Sequence, residues 1–201
     1  MTPLTPAPEA VTRPEIFKLK SILTTNASPD VRESLRTPRA ITHVGAGRGK
    51  VEQVASSRRY VTDSGKVSFG RTSATRDAGV RAKPVGTIDP WLSTISFWDG
   101  EQAVAAISSY STHPMTFYGQ GDVSCDFPGI ARRERQKEMR GVAQIYFSGC
   151  AGDTVAGKFN DGDPRNRAIL AGRIHDGMRA AWKDTKRRPI PEIGFRSAPL
   201  R

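Results

Sequence analysis

Residues Trp91 to Trp98 alternate between side-chain types well enough for a strand, and Gln102 to Tyr110 reads as its return, with Val104-Ala105-Ala106-Ile107 central. Asp99-Gly100 is the expected two-residue turn between them, because glycine tolerates the positive φ such turns need. A second, smaller hairpin is expected between Tyr60 and Phe69, turning at Asp63-Ser64-Gly65. Val142 to Phe147 is a short apolar strand. Helical spacing returns after Asp163-Pro164, where Leu170, Ile174, Met178, Ala181 and Trp182 form an apolar face. Another helix is expected from about Phe127 to Met139, with Asp126 as its cap and Pro128 in its first turn.

Upstream the pattern weakens. Pro14 to Leu23 reads as a short helix and Ser28 to Arg36 as a turn or two more, stopping before Pro38. Gly45 to Gly49 reads as a glycine-rich basic segment before a strand at Val51-Glu52-Gln53-Val54. Arg71 to Pro90 is polar and broken by Gly and Pro, a long ordered loop. The order strand, loop, helix, strand, loop, helix makes the fold class α/β, a mixed sheet with flanking helices.

The length of 201 residues fits one domain or a piece of a larger one, and a hydrophobic content of 37% supports a modest core. No run of about 18 apolar residues exists to span a membrane. No basic stretch followed by an apolar one marks a secretory signal in this chain. The net charge of +11 is spread over many arginines, without interleaved aromatics to stack on bases. A solvated basic surface therefore accounts for it better than a nucleic-acid groove. Two cysteines, Cys125 and Cys150, are too few for a disulfide scaffold.

Ligands of α/β sheets bind beyond the carboxyl ends of strands. Two such ends carry unusual residues here, Thr112-His113-Pro114 and Gly149-Cys150-Ala151-Gly152-Asp153-Thr154. Gly149 and Gly152 let a ligand approach the backbone. His113 can bind a metal or act as a general base. Asp126 and Asp153 can orient it, bind a metal or hold a polar substrate, while a helix cap and a turn are their plain alternatives. A His/Cys/Cys zinc site through Cys125 and Cys150 lacks the usual short-range ligand pairs, so buried thiols are the default. Asp161-Gly162-Asp163 is an incomplete calcium loop, better read as a turn and cap. His43 and His175 have no evident company, and His175 is placed on the surface of the last helix.

Five segments between about Val44 and Trp182, in order, resemble the neutral/alkaline non-lysosomal ceramidase family and its compact bacterial relatives. Val54-Ala55-Ser56-Ser57-Arg58-Arg59 is similar to the family's Asn-Arg segment. Ile88-Asp89-Pro90-Trp91-Leu92, followed by Ile95-Ser96-Phe97, resembles its Asp-Pro strand entry. Ser111-Thr112-His113-Pro114-Met115-Thr116 resembles the motif whose histidine binds zinc, and Ser124-Cys125-Asp126-Phe127-Pro128-Gly129 the helix opening that follows. Ser148-Gly149-Cys150-Ala151-Gly152-Asp153 resembles the loop of the Gly-Asp-Val-Ser-Pro-Asn motif.

The resemblance implies a zinc-dependent hydrolase cleaving the amide bond of an N-acyl lipid or a related substrate. It implies His113 as a zinc ligand, Asp153 and Asp126 as catalytic residues, and Arg58, Arg59, Gly149 and Gly152 at the substrate. Two departures accompany it. The family's serine two residues after the aspartate is Val155 here, and the family's other metal ligands lie outside the matched region. The expectation is therefore an incomplete portion of a larger ceramidase-like catalytic domain, inactive or nearly so alone, with exposed sheet edges that favour self-association. Residues 1–43 match poorly, 44–185 form the ceramidase-like region, and 186–201 are a basic tail. A basic binding protein for nucleic acid or anionic lipid surfaces is the alternative.

Overall fold

A computed structural model describes residues 38–117 and 123–190, together with Pro29, Glu33 and Arg36. The helix expected at 14–23, and most of the one at 28–36, lie outside the described residues.

The described elements run β1 (His43–Lys50), β2 (Ser56–Ser57), β3 (Tyr60–Val61), β4 (Val67–Ser68), α1 (Ala78–Ala82), β5 (Trp91–Asp99), β6 (Gln102–Tyr110), α2 (Asp126–Glu138), β7 (Ala143–Ser148), β8 (Thr154–Val155), α3 (Arg165–Asp184) and β9 (Lys186–Pro189). One sheet has the order β7-β6-β5-β1-β9. β6 and β7 are parallel and joined across α2, while the other neighbours are antiparallel. This is the mixed sheet with flanking helices of the expected α/β class. The two small ribbons, β2 with β8 and β3 with β4, lie outside it.

Both hairpins form. β3 and β4 turn through Gly65 at φ 78°. In the β5–β6 hairpin Asp99 faces Gln102, so the turn residues are Gly100 and Glu101, one place later than expected. A bulge opposite Phe97 and Trp98 leaves Val104 unpaired and shifts the register by one residue.

The largest difference from the sequence reading is at Gly45 to Gly49. These residues are strand β1, an interior strand between β5 and β9, and Val51 to Val54 is not a strand. Glycine is a poor strand former, but it serves where another backbone comes close. That is the case here. A Cβ on Gly47 would stand 2.1 Å from the Ala181 carbonyl oxygen, and one on Gly49 would stand 2.2 Å from that of Gly177. The alternate glycines thus seat α3 directly on the strand. Val51 and Val54 are buried in the core instead, with Leu92, Phe127, Leu170, Ile174 and Met178. Lys186 to Arg188, expected to begin a tail, pair with β1 as part of β9.

α2 and α3 pack on each other and on one face of the sheet. No described element covers the other face, which carries Trp91, Ile95, Ile145 and Phe147. No described helix is long and apolar enough to cross a membrane.

Candidate functional site

β6 ends at Tyr110 and β7, parallel to it, ends beside it at Ser148. Their loops therefore leave the same end of the sheet. The Gly149 N–H donates to the Tyr110 carbonyl at 2.9 Å, and a Cβ on Gly149 would meet the Ser111 hydroxyl at 2.6 Å. Glycine is needed there for close packing of the two loops. Gly152, in contrast, has open space around it.

The β2–β8 ribbon brings the third loop to the same place, pairing Ser56 with Val155 and Ser57 with Thr154. Arg58 N–H donates to the Asp153 carbonyl at 2.8 Å. The Asp153 carboxylate accepts from Ser57 Oγ at 2.5 Å and from Arg59 Nε at 3.0 Å. Partial burial raises its pKa, but the Ser57 and Arg59 hydrogen bonds and the charges of Arg59 and Arg58 outweigh that and hold it below the ordinary range.

His113 sits between these loops, half-buried. Both its backbone N–H and its Nδ1 lie 3.0 Å from the Thr154 carbonyl oxygen. A carbonyl can only accept, so Nδ1 carries a proton. In the neutral ring that leaves the Nε2 lone pair free, the arrangement a metal-binding or proton-accepting imidazole requires. The partner is a backbone atom, so no side-chain motif could have announced it.

Asp126 lies elsewhere and does a different job. It is the first residue of α2, not a side-chain cap, and it adopts φ 46°, which non-glycine residues rarely take. Its carboxylate accepts from Thr116 N–H at 2.8 Å, Thr116 Oγ at 2.7 Å and Phe127 N–H at 2.7 Å. Arg167 stands 3.8 Å away and donates to Thr116 Oγ at 3.0 Å. Asn160, fully buried, donates to the Thr116 and Ser73 carbonyls. Thr116 is thus fastened on every polar side, and the loop carrying His113 is anchored through it. Among the described contacts, Asp126 makes no hydrogen bond to His113.

Arg58 is half-buried and Arg59 exposed over the Phe69 ring. Val155, where a hydroxyl would be expected by resemblance, is fully buried and brings no nucleophile. Cys125 and Cys150 are exposed thiols. His175 is not a surface residue: its side chain is 16% exposed and its Nε2 lies 3.3 Å from Glu138, because α2 packs over it. Asp161 and Asp163 spend their oxygens on the turn and the start of α3. Among the described residues no three His, Cys, Asp or Glu side chains are grouped to hold a metal.

Sequence reasoning missed Arg71. It is fully buried and donates to four carbonyls, those of Ser57, Pro84, Val80 and Lys83. It fastens the polar segment after β4 to the Ser57 ribbon. Its position inside an apparently loop-like stretch gave no sign of burial.

Fold and site together define a mixed-sheet α/β protein with a tethered imidazole among the loops at one strand end. No protein-family model matches the chain, and no curated protein sequence does. Among solved structures it is similar to a ceramidase complexed with C2, at 18% identity and a TM-score of 0.49, covering 71% of this chain and 22% of that one. It is similar to the neutral ceramidase from Pseudomonas aeruginosa over the same shares, at 16% identity and a TM-score of 0.49. The chain spans 22% of the length of these two proteins.

Proposed function

We propose that this chain carries one wall of a ceramidase-like hydrolase site, acting on the amide bond of an N-acyl lipid or a related substrate. The observation that carries the reading is the placing of His113. Its Nδ1 proton is given to the Thr154 carbonyl, which leaves Nε2 as a free donor atom. Further support comes from convergence. Segments around Ser57, His113, Asp126 and Asp153, far apart in sequence, are joined through Arg58 to Asp153, His113 to Thr154, and Thr116 to Asp126. In this reading Arg59 and Ser57 hold Asp153, and Asp126 holds Thr116. Both carboxylates act as positioning residues, and Arg58, Arg59, Gly149 and Gly152 face the substrate.

A zinc ion is part of the family chemistry the motifs imply. A catalytic zinc normally takes about three protein ligands. The described residues supply one imidazole and no cluster, so by themselves they do not fit a zinc centre, and no step is assigned to a metal. His113 is proposed as this chain's single contribution to such a centre.

The test has two parts. A nitrogen-resolved NMR spectrum of the His113 ring should show the Nδ1–H tautomer. Zinc should perturb it only weakly, and not at all in His113→Ala. Hydrolysis of short N-acyl and ester substrates by the chain should be slow and should fall to background in His113→Ala. A stoichiometric zinc content after dialysis, or hydrolysis indifferent to His113→Ala, would sink the reading.

A further inference from the structure

Beside the His113 loop lies a cleft of about 550 Å³ that contains neither His113 nor Asp153. Three arginines line it, Arg58, Arg71 and Arg76. Among the described residues no Asp or Glu lines it, and none of the three arginines is in an ion pair. The carboxylates on neighbouring segments are engaged elsewhere: Asp153 with Ser57 and Arg59, Asp126 with Thr116 and Phe127, Asp161 with Asn166, Asp163 with Arg165 and Asp77 with the Val80 N–H.

The positive charge here is not surface decoration. Arg71 is fully buried, and its terminal nitrogens are neutralised only by carbonyl dipoles. Among the described residues its buried Nε–H has no partner, and neither has that of Arg58. A buried, unpaired donor on a cation is costly, so such groups ordinarily have an acceptor. Lys158 adds to the field. Its ammonium also rests on carbonyls of the Arg81 and Lys83 turn, and burial together with the charge of Arg71 holds its pKa below the ordinary range. Beside the arginines the wall carries the hydroxyl residues Thr72, Ser73 and Thr116 and the apolar Phe69, Met115 and Phe117.

We infer that this cleft binds an oxoanion carried on an apolar stem, with Arg58, Arg71 and Arg76 facing the anion and Phe69, Met115 and Phe117 the stem. A guanidinium suits phosphate and carboxylate oxygens because its N–H donors form a planar fork; Arg58 and Arg76 supply it, while Arg71, its terminal N–H groups spent on carbonyls, contributes charge. The cleft shares Arg58 with the proposed substrate wall, but anion binding requires neither hydrolysis nor a metal, so binding and turnover test the two readings apart.

The experiment is calorimetric titration of the full chain at low salt with hexyl phosphate, inorganic phosphate and hexanol. Hexyl phosphate is expected to bind with Kd below about 1 mM, more tightly than either of the others. Salt at about 0.5 M should weaken it by screening. Arg76→Ala, on an exposed residue, and Arg58→Met, which keeps the side-chain stem, should each raise Kd about tenfold, the loss of one charge-assisted contact. Thermal melts of both variants confirm that they fold. Inorganic phosphate or hexanol binding as tightly as hexyl phosphate overturns the inference. So does an affinity that neither arginine variant changes.

Discussion

The two faces of the central sheet are built by opposite rules. The covered face, under α2 and α3, is built largely of small and polar residues, with Leu92 and Tyr110 as its large buried side chains. Across the strands its rows read Gly45, Ser96, Ala106, Gln144 and Gly47, Thr94, Ser108, Tyr146. The bare face carries the larger apolar groups, with Ala46, Ile95, Ile107 and Ile145 in one row and Phe147 in the next. Ile95 is 48% exposed and Phe147 55%, while Thr94 and Ser96 are buried. Hydrophobicity alone would have turned the sheet over. What decides is shape. A helix backbone lies so close to β1 that only glycine fits beneath it, and Thr94, Ser96, Ala106 and Ser108 keep the neighbouring strands small beside it. The apolar volume of the core is supplied mainly by the helices and by Val51, Val54 and Phe127 from the loops and helix start.

If shape governs the covered face, the largest effect of any sheet substitution belongs to Gly47→Val. Its Cβ would meet the Ala181 carbonyl, and helix backbone cannot give way as a side-chain end can. A loss of about 3 kcal/mol is expected, at the upper end of overpacking costs, measured by urea denaturation. A near-neutral result would mean that α3 does not sit where described and would break the comparison.

Next comes Thr94→Val. Thr94 Oγ and Ser108 Oγ are 2.9 Å apart and buried, each the other's partner. Removing one hydroxyl orphans the other, at roughly 1–2 kcal/mol. The double variant Thr94→Val with Ser108→Ala should recover most of that, since nothing is then left unpaired. Strict additivity of the two would show that the pair carries no mutual bond.

On the bare face Ile95→Thr should cost less than about 1 kcal/mol, because half of the side chain is already in water and threonine keeps the strand preference. A cost equal to that of Thr94→Val in the dilute monomer would mean that both faces are packed and would end the contrast.

The same rule explains what could be read from the chain. The β5–β6 hairpin was legible because alternation and a glycine turn are local signals, though the turn falls one residue later than expected. Strand β1 was not legible, since its glycines make sense only against α3, more than 120 residues later. In the site, His113 was recognisable by its place at a strand end. Its partner was not, because a carbonyl oxygen on Thr154 belongs to no residue type. For Asp126 the sequence offers a helix cap beside a catalytic role. The positive φ and the bond to Thr116 that replace that role come from tertiary contacts. Arg71 and Asn160 were hidden for the same reason: burial of a polar side chain depends on acceptors supplied from elsewhere.

The smallest expected effect comes from acid, and it sharpens the contrast by sparing both faces. The paired rows compared above hold no carboxylate or histidine. Acid sensitivity should therefore enter through the loops, at Asp153. Burial raises the pKa of that carboxylate, but Ser57, Arg59 and the charge of Arg58 prevail, so the folded value lies below the ordinary 3.8. A depressed folded pKa stabilises the native state fully above the unfolded value. The contribution fades as pH falls below about 4 and through the lowered one. Wild type and Asp153→Asn should thus differ in urea midpoint at pH 6 and converge toward pH 2.5. The asparagine variant should lose amide protection at Arg58, whose N–H rests on the Asp153 carbonyl, without any change in β5 or β6. A difference that persists unchanged to pH 2.5 would mean that the charge of Asp153 holds nothing. Protection lost in β5 and β6 as well would mean that the loops and the sheet melt as one unit, and the two regions would then share a single stability.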